Sequence, residues 1–169
     1  MIYLNADLKA QLRAKDLCFE LNQLRPSDPK RNQILKDLIP NIGKGSYIVS
    51  PFYCDYGTNI EIGENLYANY GLIILDEAKV CIGNNVLIAP NVLICTVSHP
   101  LSASERNTQY GEVKPIRIGN NVWIGANSII LQGVEIEDNA VIAAGSVVKN
   151  NVPMNTIVAG NPARIVKRI

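Results

Sequence analysis

A six-residue repeat restricts the fold of this chain more than any other feature of its sequence. Units of the repeat include IGENLY at Ile62, IGNNVL at Ile82, IGNNVW at Ile118 and IGANSI at Ile124. The first residue of each unit is aliphatic or alanine, the second is often glycine, and the fifth is small or apolar. A helical period does not fit, because the repeated aliphatic residues would be scattered around a helix.

The length of the unit has a direct structural meaning. Six residues with one buried aliphatic side chain suit a short strand and a turn, and three such units complete one triangular coil of a stacked parallel β-helix. Glycine and asparagine are expected where the turns require a positive φ. A β-sandwich of short strands is the alternative, but nine units in near-constant register argue against it. The sequence therefore predicts a mainly all-β chain with a β-helix over residues 41–169, although the register shifts by two residues before Ile82.

The segment 1–40 lacks the repeat and is predicted to be helical. In residues 4–21, leucines recur at roughly helical spacing between charged residues. Prolines then interrupt this pattern, and Ser27 or Asp28 is expected to cap a second short helix, which Pro40 ends.

The repeat is interrupted between residues 95 and 117, where the sequence is polar. Ile94 and Ile118 are separated by 24 residues, or four hexads, so the chain leaves the β-helix and returns in the same register. A long insertion without secondary structure of its own is usually functional or disordered. His99, the only histidine of the chain, lies at the root of this loop. A lone histidine is more often structural, but this position favours a functional role.

Composition excludes several classes of function. A formal net charge of +1 does not favour nucleic acid or an anionic membrane as a partner. The sequence has no apolar run near 18 residues and no signal-peptide pattern, so a cytoplasmic protein is expected. The four cysteines lack any CxxC pair, which argues against a zinc site and a disulfide framework.

Several segments together resemble one family. These are YANYG, IGNNVLIAPNV, SHP, IGNNVWIGANSIILQGVEI and VAGNPARIVK. Over essentially its whole length the chain resembles the hexapeptide-repeat acyltransferases, in the branch of maltose, galactoside and nodulation-factor O-acetyltransferases. The resemblance implies a left-handed β-helix, a homotrimer with active sites between subunits, and acetyl transfer from acetyl-CoA to a sugar hydroxyl without a metal. It also implies that the loop at 95–117 reaches a neighbouring subunit.

The resemblance assigns His99 as the general base. A neutral imidazole can take the proton of a sugar hydroxyl as its oxygen attacks the thioester, and the imidazolium can then protonate the leaving thiolate. Direct transfer needs no covalent enzyme intermediate, so the cysteines need no catalytic role. The family stabilises the oxyanion with a backbone amide, and Ala126 is near the matching position.

The resemblance also places acceptor contacts in the first half of the repeat. It implies that Asn69 and an acid bind sugar hydroxyls, but a shift of one residue leaves Asp76 and Glu77 as alternatives. Asp55 lies at another polar acceptor position, although asparagine and aspartate also suit tight turns. The N-terminal acid of the family is not matched in spacing, and Asn5 or Asp7 are the candidates here.

The donor site is implied for the second half of the repeat. Trp123 would lie beside the pantetheine arm, and the small side chains of Ala126 and Ala144 would let that arm approach the backbone. Polar and basic groups are expected to bind the coenzyme A phosphates. The candidates for that role are Lys149, Asn150, Arg164 and Lys167, whereas Arg168 suits a solvated end.

Other functions on the same fold remain to be compared. A γ-class carbonic anhydrase needs three histidine ligands, and this chain has one. Amino-sugar and streptogramin-type acetyltransferases are the enzymatic alternatives. A non-catalytic trimeric β-helix that serves as an interaction protein is the alternative of another class, and it would not bind coenzyme A.

Overall fold

The structure, a computed structural model, describes residues 2–3 and 7–169. Its helices are α1 (Leu8–Gln23), α2 (Lys30–Leu38) and α3 (Ala103–Arg106). Its strands, in chain order, are β1 (Ile2–Tyr3), β2 (Asn41–Ile42), β3 (Tyr47–Ile48), β4 (Phe52–Cys54), β5 (Ile60–Ile62), β6 (Tyr67–Ala68), β7 (Leu72–Leu75), β8 (Val80–Ile82), β9 (Leu87–Ile88), β10 (Leu93–Cys95), β11 (Val97–Ser98), β12 (Tyr110–Val113), β13 (Ile116–Ile118), β14 (Trp123–Ile124), β15 (Ile129–Ile130), β16 (Glu135–Ile136), β17 (Val141–Ile142), β18 (Val147–Val148), β19 (Thr156–Gly160) and β20 (Ala163–Arg168).

The strands that follow α2 form the predicted parallel β-helix. Face 1 contains β2, β5, β8, β13 and β16, face 2 contains β3, β6, β9, β14, β17 and β19, and face 3 contains β4, β7, β10, β15 and β18. Successive strands of a coil contribute to successive faces, so each coil lies on the one before it. The helix prediction for residues 4–21 is confirmed from Leu8 onward, and residues 4–6 lie outside the described part of the chain.

The three faces enclose a triangular prism, and this name is used below for the body of the β-helix. Aliphatic side chains at the first hexad position fill its interior, as predicted. They are buried in columns, because equivalent residues of successive coils pair directly. These columns are Ile62, Ile82, Ile118 and Ile136 on face 1, Ile48, Ala68, Ile88, Ile124 and Ile142 on face 2, and Ile74, Ile94, Ile130 and Val148 on face 3. Burial of this continuous apolar surface is the main stabilising term of the fold.

The register shift before Ile82 reflects a change in coil length. Ile62 pairs with Ile82, whereas Ile118 pairs with Ile136, so the coil shortens from 20 residues to 18. Because each early coil contains two residues beyond three hexads, a strict count in sixes slips by two at every early coil.

Glycine has two different roles in the turns. The fourth hexad position is asparagine or glycine with a positive φ, as at Asn121 (56°) and Gly145 (71°), and this agrees with the expectation. The second-position glycines do not have a positive φ, so for them the expectation is wrong. At Gly83, a Cβ would lie 2.7 Å from the backbone of Gly119 in the next coil, so this glycine is required by close stacking.

The interruption at 95–117, here called the arm, has secondary structure of its own, contrary to the expectation. Strand β11 pairs antiparallel with β12, and α3 lies between them. Strand β1 adds to β12 on its other side, also antiparallel. The arm and β1 therefore form a small three-stranded sheet attached to the prism, and β11 ends immediately before His99.

The two long helices cover the first coils. Side chains of α1 and α2, including Leu21 and Leu38, join the core. Asn22 of α1 donates to the carbonyl of Phe52 and accepts from its backbone N–H, both at 2.9 Å. Strand β4, which contains Phe52, is the edge strand of face 3. The Asn22 side chain satisfies backbone groups that a neighbouring strand would otherwise pair with. Within residues 7–169, none of the helices has the length and apolar character needed to cross a membrane.

Candidate active site

His99 is an exposed side chain that follows β11 at the root of the arm. The preceding residue, Ser98, pairs with Glu112 of β12, and its Oγ accepts a hydrogen bond from Nε2 of Gln132 at 2.6 Å. The imidazole forms no hydrogen bond with the described residues. It is therefore open to a substrate, while the residue before it is fixed to the prism.

The three predicted acids converge at one corner of the β-helix, but they differ in exposure. Asp76 is fully buried, and its Oδ1 accepts from the backbone N–H groups of Asp55 and Tyr56, both at 2.9 Å. Burial raises the pKa of Asp76, and these backbone donors act in the opposite direction. Asp76 thus shapes the turn that carries Asp55.

Glu77 is only partly buried and lies against helix α1. Its Oε1 accepts from Nε2 of Gln11 at 3.0 Å, and the same Nε2 donates to the hydroxyl of Tyr56 at 3.1 Å. Burial raises the pKa of Glu77. Burial, followed by the charges of Glu77 and Asp76, also raises the pKa of Asp55 to about 6. The corner is therefore a group of interacting carboxyls, each with a raised pKa.

Asn69 follows β6 on face 2 and is partly buried. Its Oδ1 accepts from the backbone N–H of Tyr70 at 2.8 Å, which is the turn role considered from the sequence. Its Nδ2 forms no hydrogen bond with the described residues, so this donor remains available. Asp7, the N-terminal candidate, uses its side chain to cap α1 at Ala10, and Asn5 lies outside the described residues.

The donor candidates lie on the C-terminal coils. Trp123 is 53% exposed on β14, and β14 pairs with β17. Ala126 follows β14 and Ala144 follows β17, and the carbonyl of Ala126 accepts from the N–H of Gly145 at 2.8 Å. The structure therefore brings the two alanines to the same edge of adjacent coils, where their small side chains leave the backbone approachable.

The polar candidates of the donor site form a second group. Asn150 and Arg164 line the same cavity of about 150 Å³ between β18 and β20. Lys149 and Lys167 are exposed, and Arg164 donates to the carbonyl of Ala163 at 2.8 Å. Strand β20, antiparallel to β19, fixes the basic C-terminal segment to the last coil.

Two family models and several known proteins are similar to this chain. A family model described as "Maltose acetyltransferase hexapeptide capping motif" matches residues 2–43, and "Hexapeptide repeat of succinyl-transferase" matches residues 115–150. The galactoside O-acetyltransferase of Escherichia coli K12 is 44% identical over 160 residues, which are 94% of this chain and 79% of that protein. The chain belongs to the hexapeptide-repeat acetyltransferase family.

Solved structures of the family are similar to this chain over nearly its whole length. A galactoside acetyltransferase in complex with coenzyme A has a TM-score of 0.96 and 41% identity, covering 100% of this chain and 85% of that one. The maltose O-acetyltransferase of Clostridium difficile 630 has a TM-score of 0.95 and 44% identity, covering 99% of this chain and 91% of that one. The predicted family and β-helix are thereby confirmed.

Sequence reasoning missed some polar residues of this acetyltransferase. Gln11, 3% exposed on α1, and Gln132 beside Ser98 were not predicted to take part in the site. The signal for Gln11 is a polar residue at a position where the helical pattern requires burial. Within the described residues, no group of three or more histidine, cysteine, aspartate or glutamate side chains is placed to hold a metal ion.

Proposed function

We propose that this protein transfers an acetyl group from acetyl-CoA to a hydroxyl of a sugar-like acceptor. One observation carries the proposal: the similarity to the galactoside acetyltransferase that was solved with coenzyme A extends over the whole chain, with a TM-score of 0.96. The lone, exposed histidine at the root of the arm supplies the base that this chemistry needs.

In this mechanism His99 removes the proton of the acceptor hydroxyl as the oxygen attacks the thioester carbonyl. The tetrahedral intermediate then collapses, the C–S bond breaks, and the imidazolium returns the proton to the thiolate of coenzyme A. The backbone N–H of Ala126 is the proposed donor to the oxyanion. The products are an acetyl ester and free coenzyme A, and no covalent enzyme intermediate forms.

The acceptor is proposed to bind between His99 and the acidic corner. Asp76 is buried and its Oδ1 is occupied by two backbone donors, so Glu77 is the acid proposed to face the acceptor. Asp55 and the available Nδ2 of Asn69 complete the proposed set. Asp76 acts on the acceptor through the turn at Asp55.

The donor is proposed to lie along the C-terminal coils. Exposed Trp123 and the edge formed by Ala126 and Ala144 suit the pantetheine arm. The phosphates would meet Lys149, Asn150, Arg164 and Lys167, where cations and amide donors are exposed.

A homotrimer with its sites between subunits belongs to the same proposal. On face 2, Tyr47, Tyr67, Leu87 and Trp123 form an exposed column in register, with Tyr47 and Tyr67 stacked at a centroid distance of 6.3 Å. A continuous apolar column of this kind suits contact with another subunit. A trimer is expected in sedimentation equilibrium, and a monomer would contradict this part of the proposal. A cytoplasmic location is also proposed, in keeping with four free cysteines.

The test is thiol release from acetyl-CoA with a panel of glycosides, amino sugars and streptogramin-type drugs, for the wild type and His99→Ala. Turnover with a sugar hydroxyl is expected, and kcat should fall by about a hundredfold or more in the variant. Calorimetry should give the same coenzyme A affinity for both proteins. Turnover with amines alone would contradict the hydroxyl acceptor and indicate that the protein acetylates an amine. Absence of both turnover and coenzyme A binding would favour a non-catalytic β-helix.

A further inference from the structure

Gln132 connects the prism to the arm directly beside the histidine. It lies in the turn between β15 and β16, and its Nε2 donates to Oγ of Ser98 at 2.6 Å. Ser98 is the last residue of β11 and precedes His99. This contact spans 34 positions of the sequence, so it fixes the arm to a coil that is formed much later in the chain.

The same carboxamide also reaches the second strand of the arm. The pKa of Glu112 in β12 is lowered first by Lys114, with which it forms an ion pair at 2.9 Å, and to a smaller extent by the neighbouring side chain of Gln132. Glu112 is the register partner of Ser98. One side chain of the prism therefore donates a hydrogen bond to β11 and lies close to its antiparallel partner β12.

The fold of the coil itself does not need this side chain. The backbone N–H of the adjacent Leu131 already donates to the carbonyl of Val148 at 2.9 Å, which holds the turn to the next coil. Oε1 of Gln132 is buried and has no hydrogen-bond partner among the described residues. A buried acceptor without a donor destabilises a protein by about 1–3 kcal/mol, so an apolar side chain of similar length would suit the coil at least as well.

We infer that Gln132 is a positioning residue for catalysis, which acts by holding Ser98 and thereby the backbone from which His99 projects. This inference rests on the proposed function of His99. The imidazole forms no hydrogen bond of its own with the described residues, so its position depends on the backbone before it. Small displacements of a general base reduce the rate strongly, because proton transfer requires hydrogen-bond distance in the reacting complex.

The first test replaces Gln132 with methionine, which keeps the length and removes the amide. We expect kcat to fall about tenfold or more, with the KM for acetyl-CoA and the affinity for coenzyme A unchanged. The midpoint of thermal unfolding should be unchanged or higher, because the unpartnered Oε1 is gone. Gln33→Met is the matched control: Gln33 is exposed on α2, donates to Asp37 at 2.8 Å, and its loss should leave kcat unchanged.

A double-mutant cycle identifies the partner through which Gln132 acts. Ser98→Ala should reduce kcat to a similar extent, Ser98→Thr should retain activity because it keeps a hydroxyl, and Ser98→Ala combined with Gln132→Met should be little worse than either alone. Wild-type kcat in Gln132→Met, or additive losses in the cycle, would overturn the inference. A lower midpoint of thermal unfolding for Gln132→Met, with kcat restored on cooling, would also overturn the inference, because it would show that Gln132 stabilises the fold and does not position His99. An active His99→Ala protein would overturn the proposed function and this inference together, whereas an inactive one beside an active Gln132→Met protein would overturn the inference alone.

Discussion

Oδ1 of Asp76 accepts a hydrogen bond from the backbone N–H of Asp55 at 2.9 Å, so the buried acid fixes the backbone of the more exposed one. The same oxygen accepts from Tyr56, and the backbone carbonyl of Asp76 accepts from Nδ2 of Asn59 at 2.7 Å. Of two adjacent acids in the sequence, Asp76 is therefore a residue that holds two coils together, and Glu77 is the more exposed acid, which we propose to face the acceptor.

Replacement of Asp76 by alanine should destabilise the protein by about 2–3 kcal/mol, because the N–H groups of Asp55 and Tyr56 lose their acceptor. Asp76→Asn keeps an acceptor oxygen and removes the cost of burying a charge, so it should remain within about 1 kcal/mol of the wild type. Urea unfolding monitored by circular dichroism measures both. Equal stability of Asp76→Ala and wild type would contradict the role given to this carboxylate.

The raised pKa of Asp55 predicts a pH dependence of stability. Its folded value of about 6 lies above the ordinary value of 3.8, first because of burial and then because of Glu77 and Asp76. Between these values the folded state holds more protons than the unfolded state, so the contribution of Asp55 falls as pH rises from 3.8 to 6 and is constant above. Asp55→Asn should therefore gain stability relative to the wild type across that window, measured as urea midpoints from acidic to neutral pH. Parallel profiles for the two proteins would refute this assignment.

Asparagines at the fourth hexad position form a ladder of side-chain amides along one edge of the prism. Asn121 donates to Oδ1 of Asn139 at 3.1 Å and accepts from Nδ2 of Asn85 at 3.2 Å, at a φ of 56°. Asn121→Gly removes the ladder contacts but adopts the positive φ readily. Asn121→Ala removes the same contacts and also disfavours that φ. Alanine should therefore be less stable than glycine by about 1 kcal/mol at this site, in thermal unfolding. Equal midpoints would mean that the turn carries no conformational preference.

The prism was predictable because its signal is local and repeated. Ile118 and Ile136 are buried partners in adjacent coils, and each belongs to a hexad that specifies strand and turn by itself. A change of two residues in coil length shifts the register without changing the architecture, so the prediction of the fold did not depend on it.

The details of the site were less predictable because they depend on contacts between distant segments. Gln11 meets Glu77 across 66 positions, and Gln132 meets Ser98 across 34. Gln11 lies outside the motif segments, and Gln132 lies within one of them that gives no sign of its contact with Ser98. Each role is defined only when the helices and the arm are packed against the coils. The sequence left Asp76 and Glu77 as alternatives for a related reason: adjacent residues face opposite sides of a strand end, and only the three-dimensional register decides which one is buried.

Second-position glycines give a prediction that separates close stacking from backbone conformation. Gly83→Ala would place a Cβ 2.7 Å from the backbone of Gly119, so the coils must separate and the protein should lose about 2–4 kcal/mol. Gly145→Ala is the control, because a Cβ there meets nothing within 4 Å and only its φ of 71° is unfavourable. It should cost about 1–2 kcal/mol. Urea unfolding of both variants should give the larger loss for Gly83, and the reverse order would contradict the stacking explanation.

The proposed phosphate contacts predict a selective effect on the donor. Arg164 is exposed next to Asn150, so Arg164→Ala should raise the KM for acetyl-CoA by about 3–10-fold through the loss of one solvent-screened charge-assisted contact. The effect should shrink at high salt and be smaller with acetyl-dephospho-coenzyme A, which lacks the 3′-phosphate, if Arg164 binds that group. Arg168→Ala, at the exposed end of β20, is the matched control and should leave KM unchanged. Steady-state kinetics with both donors distinguish the cases: equal KM values for all three proteins would remove Arg164 from the donor site, and equal effects with both donors would place it at the pyrophosphate.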